Sequence, residues 1–373
     1  MDLETGYTKI PYLTVHPDRI TFHNQIIYDK IRSSHHDCHD QNCHFGKTTY
    51  QNNFKSNNNK NRISRPAKRK IEKAINYLEV ISDKQQIYVK EIGKSIDFKL
   101  TFVTLTLPSR QIHSDQQIRR DCMHHFLTVA ARKWNVKRYV MRSERQANGN
   151  LHFHFLCQNF IPHQELRDTW NNIINKLGYV DEYRQSMKEW HRDKFNLRKD
   201  LLKYWPEKSQ KKAYLKGVAS DWSTPNSTDI HSLRFIKDIS AYICKYMSKA
   251  ARLNKTVIKG RKKGHDKNYF MLYPTVTAGV KDFLKSNINC GRLWSCSTDL
   301  SNLHGGSDVI DTNISQELKK IQDSPKSRYF KKDYCEVLFC DLELLKSLHC
   351  VEILKLLNDF LGIRFNYSLQ LTI

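Results

Sequence analysis

The sequence has no long apolar run. In its 373 residues no stretch reaches the roughly 18 apolar residues that a membrane-spanning helix requires. Residues 1–20 have no signal-peptide pattern, so we expect neither membrane insertion nor secretion. The ten cysteines are scattered along the chain, and we expect reduced thiols in place of a disulfide framework.

Acidic residues are scarce. The chain has 38 Asp and Glu against 62 Lys and Arg, which gives a formal net charge of +24. An excess of this size is typical of proteins that bind nucleic acid or an anionic membrane. Because no membrane segment is predicted, we expect nucleic acid to be the partner. Hydrophobic residues still make up 39% of the chain, enough to build a core over much of its length.

Composition divides the chain into three parts. Residues 1–63 are polar and end in an Asn/Lys-rich run, so we expect a mostly disordered basic arm. Cysteines and histidines cluster within that arm at 35–44, which is either a zinc site or a loop that binds metal without a structural role. Residues 64–300 should form the main domain, and 301–373 a loop and a helical tail of unknown function.

Hydrophobic periodicity and capping residues predict the elements of the main domain. Helices are predicted at 64–81, 114–134, 163–177 and 233–253. Strands are predicted at 86–91, 98–107, 136–145 and 151–157.

Residues 183–217, called here the basic segment, interleave lysines and arginines with aromatic residues. Cations suit phosphates and flat rings suit bases, so this composition favours binding of single-stranded nucleic acid. The alternative is a solvated helical face whose aromatic side chains point inward. The candidate DNA-binding residues are Lys188, Trp190, Arg192, Lys194, Arg198, Lys199 and Lys203.

The stretch NGNLHFHFLC, residues 148–157, places two histidines in an apolar strand. Successive strand side chains point to opposite faces, so His152 and His154 project together while Phe153 points to the core. Two imidazoles at this spacing are able to bind one divalent ion. The alternative is a pair of exposed histidines on an edge strand.

A third ligand is available from Glu144 in the preceding strand. A loop with an odd number of residues, centred near Asn148, pairs Glu144 with His152 on the same face. A two-residue turn at Asn148-Gly149 would instead place Glu144 on the other face. Mixed histidine and carboxylate ligands suit Mn²⁺ or Mg²⁺ in a site left open for substrate.

The stretch DISAYICKYMSKAARL, residues 238–253, carries a row of tyrosines and lysines. On a helix, positions i, i+3, i+4 and i+7 share one face, and they are Tyr242, Lys245, Tyr246 and Lys249. A separate apolar stripe contains Ile236, Ile239, Ile243 and Met247. The tyrosines are either boundary residues beside lysines or nucleophiles whose phenolates the lysines stabilise.

Together these motifs resemble those of a known family. FVTLTLP at 102–108, then Glu144 with HFHFLC, then YICKYMSK is similar to the three ordered motifs of HUH-type rolling-circle replication initiators. The paired tyrosines resemble the two-tyrosine class of single-stranded DNA phages, plasmids and viruses. Over about 65–300 the resemblance implies an α+β fold, with an antiparallel β-sheet, flanking helices and a helical C-terminal extension.

The resemblance also implies a function. The chain would nick single-stranded origin DNA at a stem-loop, leaving a 5′-phosphotyrosine and a free 3′-hydroxyl, with Mg²⁺ or Mn²⁺ held by Glu144, His152 and His154. FGKT at 45–48 and GKS at 93–95 lack the upstream glycine of a Walker A loop, so a host helicase and polymerase are expected partners. The oligomeric state is open. The compartment follows the host: bacterial cytoplasm for a phage or plasmid, nucleus for a eukaryotic virus.

Two alternatives differ in what they share with this interpretation. A conjugative relaxase or a tyrosine transposase would use the same broad chemistry, although relaxases usually present a third histidine where this chain offers Glu144. A non-catalytic single-strand-binding protein would fit the composition equally well.

The paired tyrosines generate a prediction. We expect Tyr242→Phe and Tyr246→Phe each to retain some nicking of a simple oligonucleotide, and only the double variant to be inactive. Ending a round needs a second attack while the first tyrosine is esterified, so neither single variant should recircularise a replicated strand. Gel analysis of nicked and circular products measures both outcomes.

Tyr242 is our choice of first attacker, because Ile239 and Ile243 flank it in the better-anchored part of the helix. Unimpaired replication rounds by Tyr246→Phe would contradict the two-tyrosine mechanism and make Tyr246 a boundary residue.

Overall fold

A computed structural model describes residues 7–28, 63–89, 93–146, 148–231, 243, 292–331 and 335–369. The chain divides into two units, a central unit of residues 58–297 and a terminal unit of residues 1–57 and 298–373. Both combine antiparallel sheets with helices, which confirms the predicted α+β fold. Within the described part of the chain, none of the helices combines the length and apolar character needed to cross a bilayer.

The central unit begins with a helix and a small hairpin, followed by the strands of its main sheet. Its helices are α1 Arg65–Val80, α2 His124–Lys133, α3 His163–Asn175, α4 Tyr179–Trp190 and α5 Glu207–Ala219. Its strands are β3 Gln85–Val89, β4 Lys94–Phe98, β5 Thr101–Leu105, β6 Tyr139–Arg145, β7 Leu151–Cys157, β8 Thr228–His231 and β9 Trp294–Cys296.

The main sheet of the central unit has the strand order β8-β5-β7-β6-β9, and every neighbouring pair is antiparallel. The histidine strand β7 is the middle strand and is buried along its whole length. A middle strand has its backbone hydrogen-bonded on both sides, so its side chains are held at fixed positions. The hairpin β3-β4 forms a separate two-stranded sheet.

One face of the main sheet is covered by helices and forms the core. Phe153 and Phe155 of β7 project into it, together with Val103 of β5. Phe126 of α2 meets the rings of Phe155 and Trp170 edge-on, with centroids 5.4 and 5.8 Å apart. Large rings in edge-to-face contact bury much apolar area and fix the position of the sheet on its helices.

Most predicted elements of the central unit are found near their predicted positions. Ser64 caps α1 through a hydrogen bond from the Ala67 amide, and Pro66 lies in the first turn, as expected. The predicted helix 114–134 contains the helical turn Asp115–Gln117 and the π-helix Ile118–Met123 before α2. Strand β4 was missed because it is mostly exposed and has no clear alternation.

The terminal unit is built from both ends of the chain. Its strands are β1 Tyr7–His16, β2 Arg19–Tyr28, β10 Gly306–Val309, β11 Arg328–Lys331 and β12 Glu336–Phe339, in the sheet order β10-β1-β2-β12-β11. Its helices are α6 Thr312–Gln322, α7 Leu342–Ser347 and α8 Val351–Phe365.

The prediction of a disordered arm over residues 1–63 is wrong for residues 7–28. They form a hairpin with a two-residue turn between His16 and Arg19, and Leu13, Val15 and Ile20 are fully buried. An isolated hairpin is marginal in water, and this one gains its stability from pairing with β10 and β12. The predicted zinc or metal-binding cluster at 35–44 lies outside the described residues.

The predicted loop and helical tail over 301–373 also needs correction, because it contains three strands as well as helices. The buried carboxylate of Glu317 on α6 accepts hydrogen bonds from the amides of Glu352 and Ile353, both at 3.0 Å. Carboxylates are stabilised at helix N-termini, so this contact fixes the start of α8 against α6. A side chain at Gly306 would collide with the Leu356 carbonyl, which shows how closely α8 packs on β10.

Removal of one core side chain of the hairpin tests its role. We expect Leu13→Ala to lower the opening free energy of the terminal sheet by about 2–5 kcal/mol, because it leaves a cavity at a fully buried site. Hydrogen exchange should show weaker protection in β10 and β12, with β5 and β7 as internal controls. Unchanged exchange in β12 would show that the hairpin does not stabilise the terminal sheet.

Candidate metal site and nucleic-acid-binding surface

The histidines of β7 lie opposite polar residues of the neighbouring strands. His152 pairs directly with Glu144 of β6, and His154 lies between Arg142 of β6 and Thr104 of β5. Strand pairing ends at Arg145 and Leu151, so the loop is residues 146–150. The odd-numbered alternative for the loop is therefore the one observed, and Glu144 projects from the same face as the histidines.

A buried polar network holds this loop in place. The Asn150 side chain accepts a hydrogen bond from the Gln111 amide at 2.9 Å, and the Gln111 side chain accepts one from the Leu151 amide at 2.7 Å. Asp115 bonds to Gln111 at 2.8 Å and to Arg145 at 2.7 Å. Because these groups are buried, a change of register would leave several of them without partners, which is costly.

The three predicted ligands come together at one point of the sheet. Candidate ligand atoms of Glu144, His152 and His154 all lie within 4.8 Å of one another. The imidazole centroids are 4.5 Å apart, and Glu144 Oε1 is 3.0 Å from His154 Nε2. The histidines are buried and the Glu144 side chain is 26% exposed, so the cluster is accessible from the carboxylate side.

The surroundings keep the Glu144 carboxyl ionised. Burial alone would raise its pKa, but the hydrogen bond from His154 and the positive charges of His154, Arg142 and His152 outweigh burial. The net effect lowers the pKa of Glu144 below its ordinary value. At neutral pH the site therefore offers a carboxylate, the form that binds a cation.

Two further residues orient these side chains. The Arg142 guanidinium, 2% exposed, lies 3.2 Å from Glu144 Oε2, and burial lowers the pKa of Arg142 while Glu144 opposes that shift. The Thr104 hydroxyl is 3.3 Å from His154 Nδ1, which leaves Nε2 directed toward Glu144. Sequence reasoning missed Arg142, although its position two residues before Glu144 already placed it on the same face.

The donor set fits a divalent cation. Two imidazole nitrogens and one carboxylate oxygen supply three ligands and leave positions open for water or substrate, as in catalytic sites. The Thr104 contact to the other ring nitrogen of His154 is the kind of outer interaction that orients metal-binding histidines. The residues that would hold the ion are thus Glu144, His152 and His154.

The predicted nucleophiles Tyr242 and Tyr246, with Lys245 and Lys249, lie outside the described residues. Ile243, between the two tyrosines in sequence, is described. It is helical and fully buried, as expected for a member of the predicted apolar stripe.

The basic segment combines both of its alternatives. His191, Phe195, Tyr214 and Trp222 form an internal cluster, in which His191 stacks on Trp222 with ring planes 5° apart and centroids 5.2 Å apart. A side chain at Gly217 would collide with the Trp222 ring, so this glycine allows the indole to pack on α5. These aromatic residues point inward.

Other aromatic residues of the basic segment face solvent. Trp190 is 44% exposed with the Arg198 guanidinium 5.7 Å from its ring centre, and Tyr204 is 73% exposed beside Lys203. Several predicted cations already have acidic neighbours, since Lys188 pairs with Asp221, Arg192 with Glu189 and Arg198 with Asp200. Lys194, Lys199 and Lys203 are also exposed. Binding of DNA by this segment stays a prediction.

Comparison with known proteins bears on the segment that contains the site. A protein-family model described as a replication-associated protein, of the ORF2 type, matches residues 100–251. Those residues include β5, β6, β7 and the predicted tyrosine helix. The match supports the interpretation of the ordered motifs as those of a replication initiator. Neither the curated proteins nor the solved structures yielded a match.

Substitution of the carboxylate tests the candidate ligands. We expect Glu144→Gln to weaken Mn²⁺ binding by more than about tenfold, because losing even an outer-shell partner costs that much. Isothermal titration calorimetry of the full chain measures the affinity. Glu165→Gln is the matched control, since Glu165 pairs with Lys133 away from the histidines. Equal Mn²⁺ affinity in the two variants would exclude Glu144 as a ligand.

Proposed function

We propose that this chain is a metal-dependent DNA strand transferase that nicks single-stranded DNA at a replication origin. The observation that carries the proposal is the cluster of Glu144, His152 and His154 on one sheet face, inside the segment that matches a replication-associated family. A cluster of this composition is typical of sites that act on phosphates through a cation.

The side chains of the cluster have distinct roles in this proposal. A bound Mn²⁺ or Mg²⁺ would polarise the scissile phosphate and reduce the charge that builds up on it. Glu144 supplies a negative charge to the site, and Arg142 restrains that carboxylate from the buried side. Thr104 holds the His154 ring in orientation.

A tyrosine carries the covalent step. The phenol oxygen of Tyr242 or Tyr246 attacks the phosphorus, the phenol loses its proton, and an O–P bond forms. The bond from phosphorus to the 3′ oxygen breaks, and that oxygen takes up a proton to become a free 3′-hydroxyl. Lys245 and Lys249 stabilise the phenolate and the phosphate charge. One phosphodiester is exchanged for another, so rejoining needs no ATP.

Access to the site defines the form of the substrate. A base-paired strand cannot lie flat on a sheet surface beside the cluster, so the cut strand is expected to be single-stranded or extruded at a stem-loop. Exposed rings and lysines of the basic segment supply sequence-independent contacts to such a strand. A host helicase would separate the strands and a host polymerase would extend the 3′-hydroxyl.

Covalent capture tests the proposal. Incubation of the full chain with origin-bearing single strands and Mn²⁺ should give an SDS-resistant protein–DNA adduct that is lost in EDTA and restored by excess Mn²⁺ or Mg²⁺. His152→Ala and His154→Ala should abolish the adduct. Both variants should keep most of their DNA affinity, because affinity comes chiefly from distributed phosphate contacts.

His124→Ala, which removes an exposed histidine on α2, is the matched control and should form the adduct normally. Full adduct formation in the chelator would refute the metal assignment. Tight binding without an adduct under any metal condition would identify a single-strand-binding protein instead.

A further inference from the structure

The two faces of the terminal sheet differ sharply. One face packs on α8 and holds the fully buried side chains of Leu13, Ile20 and Leu338. Residues directly opposite one another in an antiparallel pair share a face, as do residues two apart along a strand. The other face is called here the open face, and the strand register assigns to it, among others, Tyr12, Arg19, His23, Arg328, Phe330 and Phe339.

Aromatic rings on the open face are accessible. Phe330 is 51% exposed on the edge strand β11, and it meets Phe339 edge-on with centroids 5.6 Å apart. Tyr12 and His23 form a second ring pair, with centroids 5.4 Å apart. At a strand spacing of about 4.8 Å, Phe330 lies about 10 Å across the sheet from the strand that carries His23. Two ring pairs thus lie across one flat surface.

The open face also has a uniform charge. Arg19 and Arg328 are its arginines, and Arg19 additionally contacts Asp18 of the hairpin turn at 3.7 Å. The five strands contain two carboxylates, Asp308 and Glu336, and the register assigns both to the opposite face. There Glu336 pairs with Lys331 at 3.2 Å. No strand position on the open face carries a negative charge.

From these observations we propose that the open face of the terminal sheet binds single-stranded nucleic acid. Accessible rings offer stacking partners for unpaired bases, and arginines without carboxylate neighbours on their face offer partners for phosphates. A symmetric contact with a second copy would bring four arginines together with no opposing carboxylate, which disfavours self-association. This surface is separate from the metal cluster, and the inference goes beyond the proposed nicking function.

Two double variants on one strand test the inference. Arg328→Ala/Phe330→Ala removes one cation and one ring from the open face. Tyr329→Ala/Lys331→Ala removes one cation and one ring from the same strand but from the opposite face, and it is the matched control. All four side chains are exposed, so both variants should fold, as checked by thermal unfolding.

Fluorescence anisotropy in EDTA, with the full chain and a non-origin oligonucleotide, measures binding without any contribution from metal-dependent cleavage. We expect the open-face variant to bind single strands at least about fivefold more weakly, because each base–ring stack contributes about that much or more. Its salt dependence should fall by about one unit of slope, and the control should stay within about twofold of the native chain. Separate DNA and RNA arms identify which nucleic acid is preferred.

Photocrosslinking of the bound oligonucleotide, followed by peptide mapping, should mark residues of β1, β2, β11 or β12. Equal affinities of the two double variants would overturn the inference, as would crosslinks confined to residues 183–217. Concentration-dependent dimerisation without nucleic acid, lost in the open-face variant, would instead identify a contact between copies and also overturn it. If Arg328→Ala/Phe330→Ala fails to fold, Arg328→Gln/Phe330→Leu makes the same comparison.

Discussion

The antiparallel register between β6 and β7 is the constraint on which the candidate metal site depends. Side chains along a strand alternate between faces, so a shift of one residue would move Glu144 to the core side. Five loop residues, 146–150, preserve the register, and the buried side chains of Gln111, Asp115 and Asn150 hold that loop. Residues that never touch the cluster thus determine whether its three side chains meet.

The position of the cluster in the middle of the sheet has an electrostatic effect. His152 and His154 are buried, and Arg142 beside them is almost inaccessible to solvent. Charge interactions are stronger where water is excluded, so the positive groups around Glu144 offset the burial of its carboxyl. The site combines fixed imidazoles on a rigid strand with one partly exposed carboxylate, an arrangement suited to binding a cation from the solvent side.

Sequence periodicity predicted the part of the fold that short-range patterns determine. Alternation placed His152 and His154 on one face, and the Ser64 cap with Pro66 located the start of α1. The side of the sheet that carries Glu144 depended on loop length, which the sequence left open between two alternatives. The β1–β2 hairpin was missed because its stabilising partners, β10 and β12, are almost 300 residues away and local composition shows no trace of them.

Pairing of the two ends of the chain sets an order of events during synthesis. Proteins usually fold from the N-terminus as they emerge from the ribosome, at about 5–20 residues per second. Here β1 and β2 emerge first but cannot complete their sheet until β10 and β12 have been made, which takes several tens of seconds at that rate. The central unit can fold during this interval, so the earliest residues to leave the ribosome join their sheet last. Any chain that stops before residue 306 exposes both edges of that hairpin, and such edges are prone to aggregate.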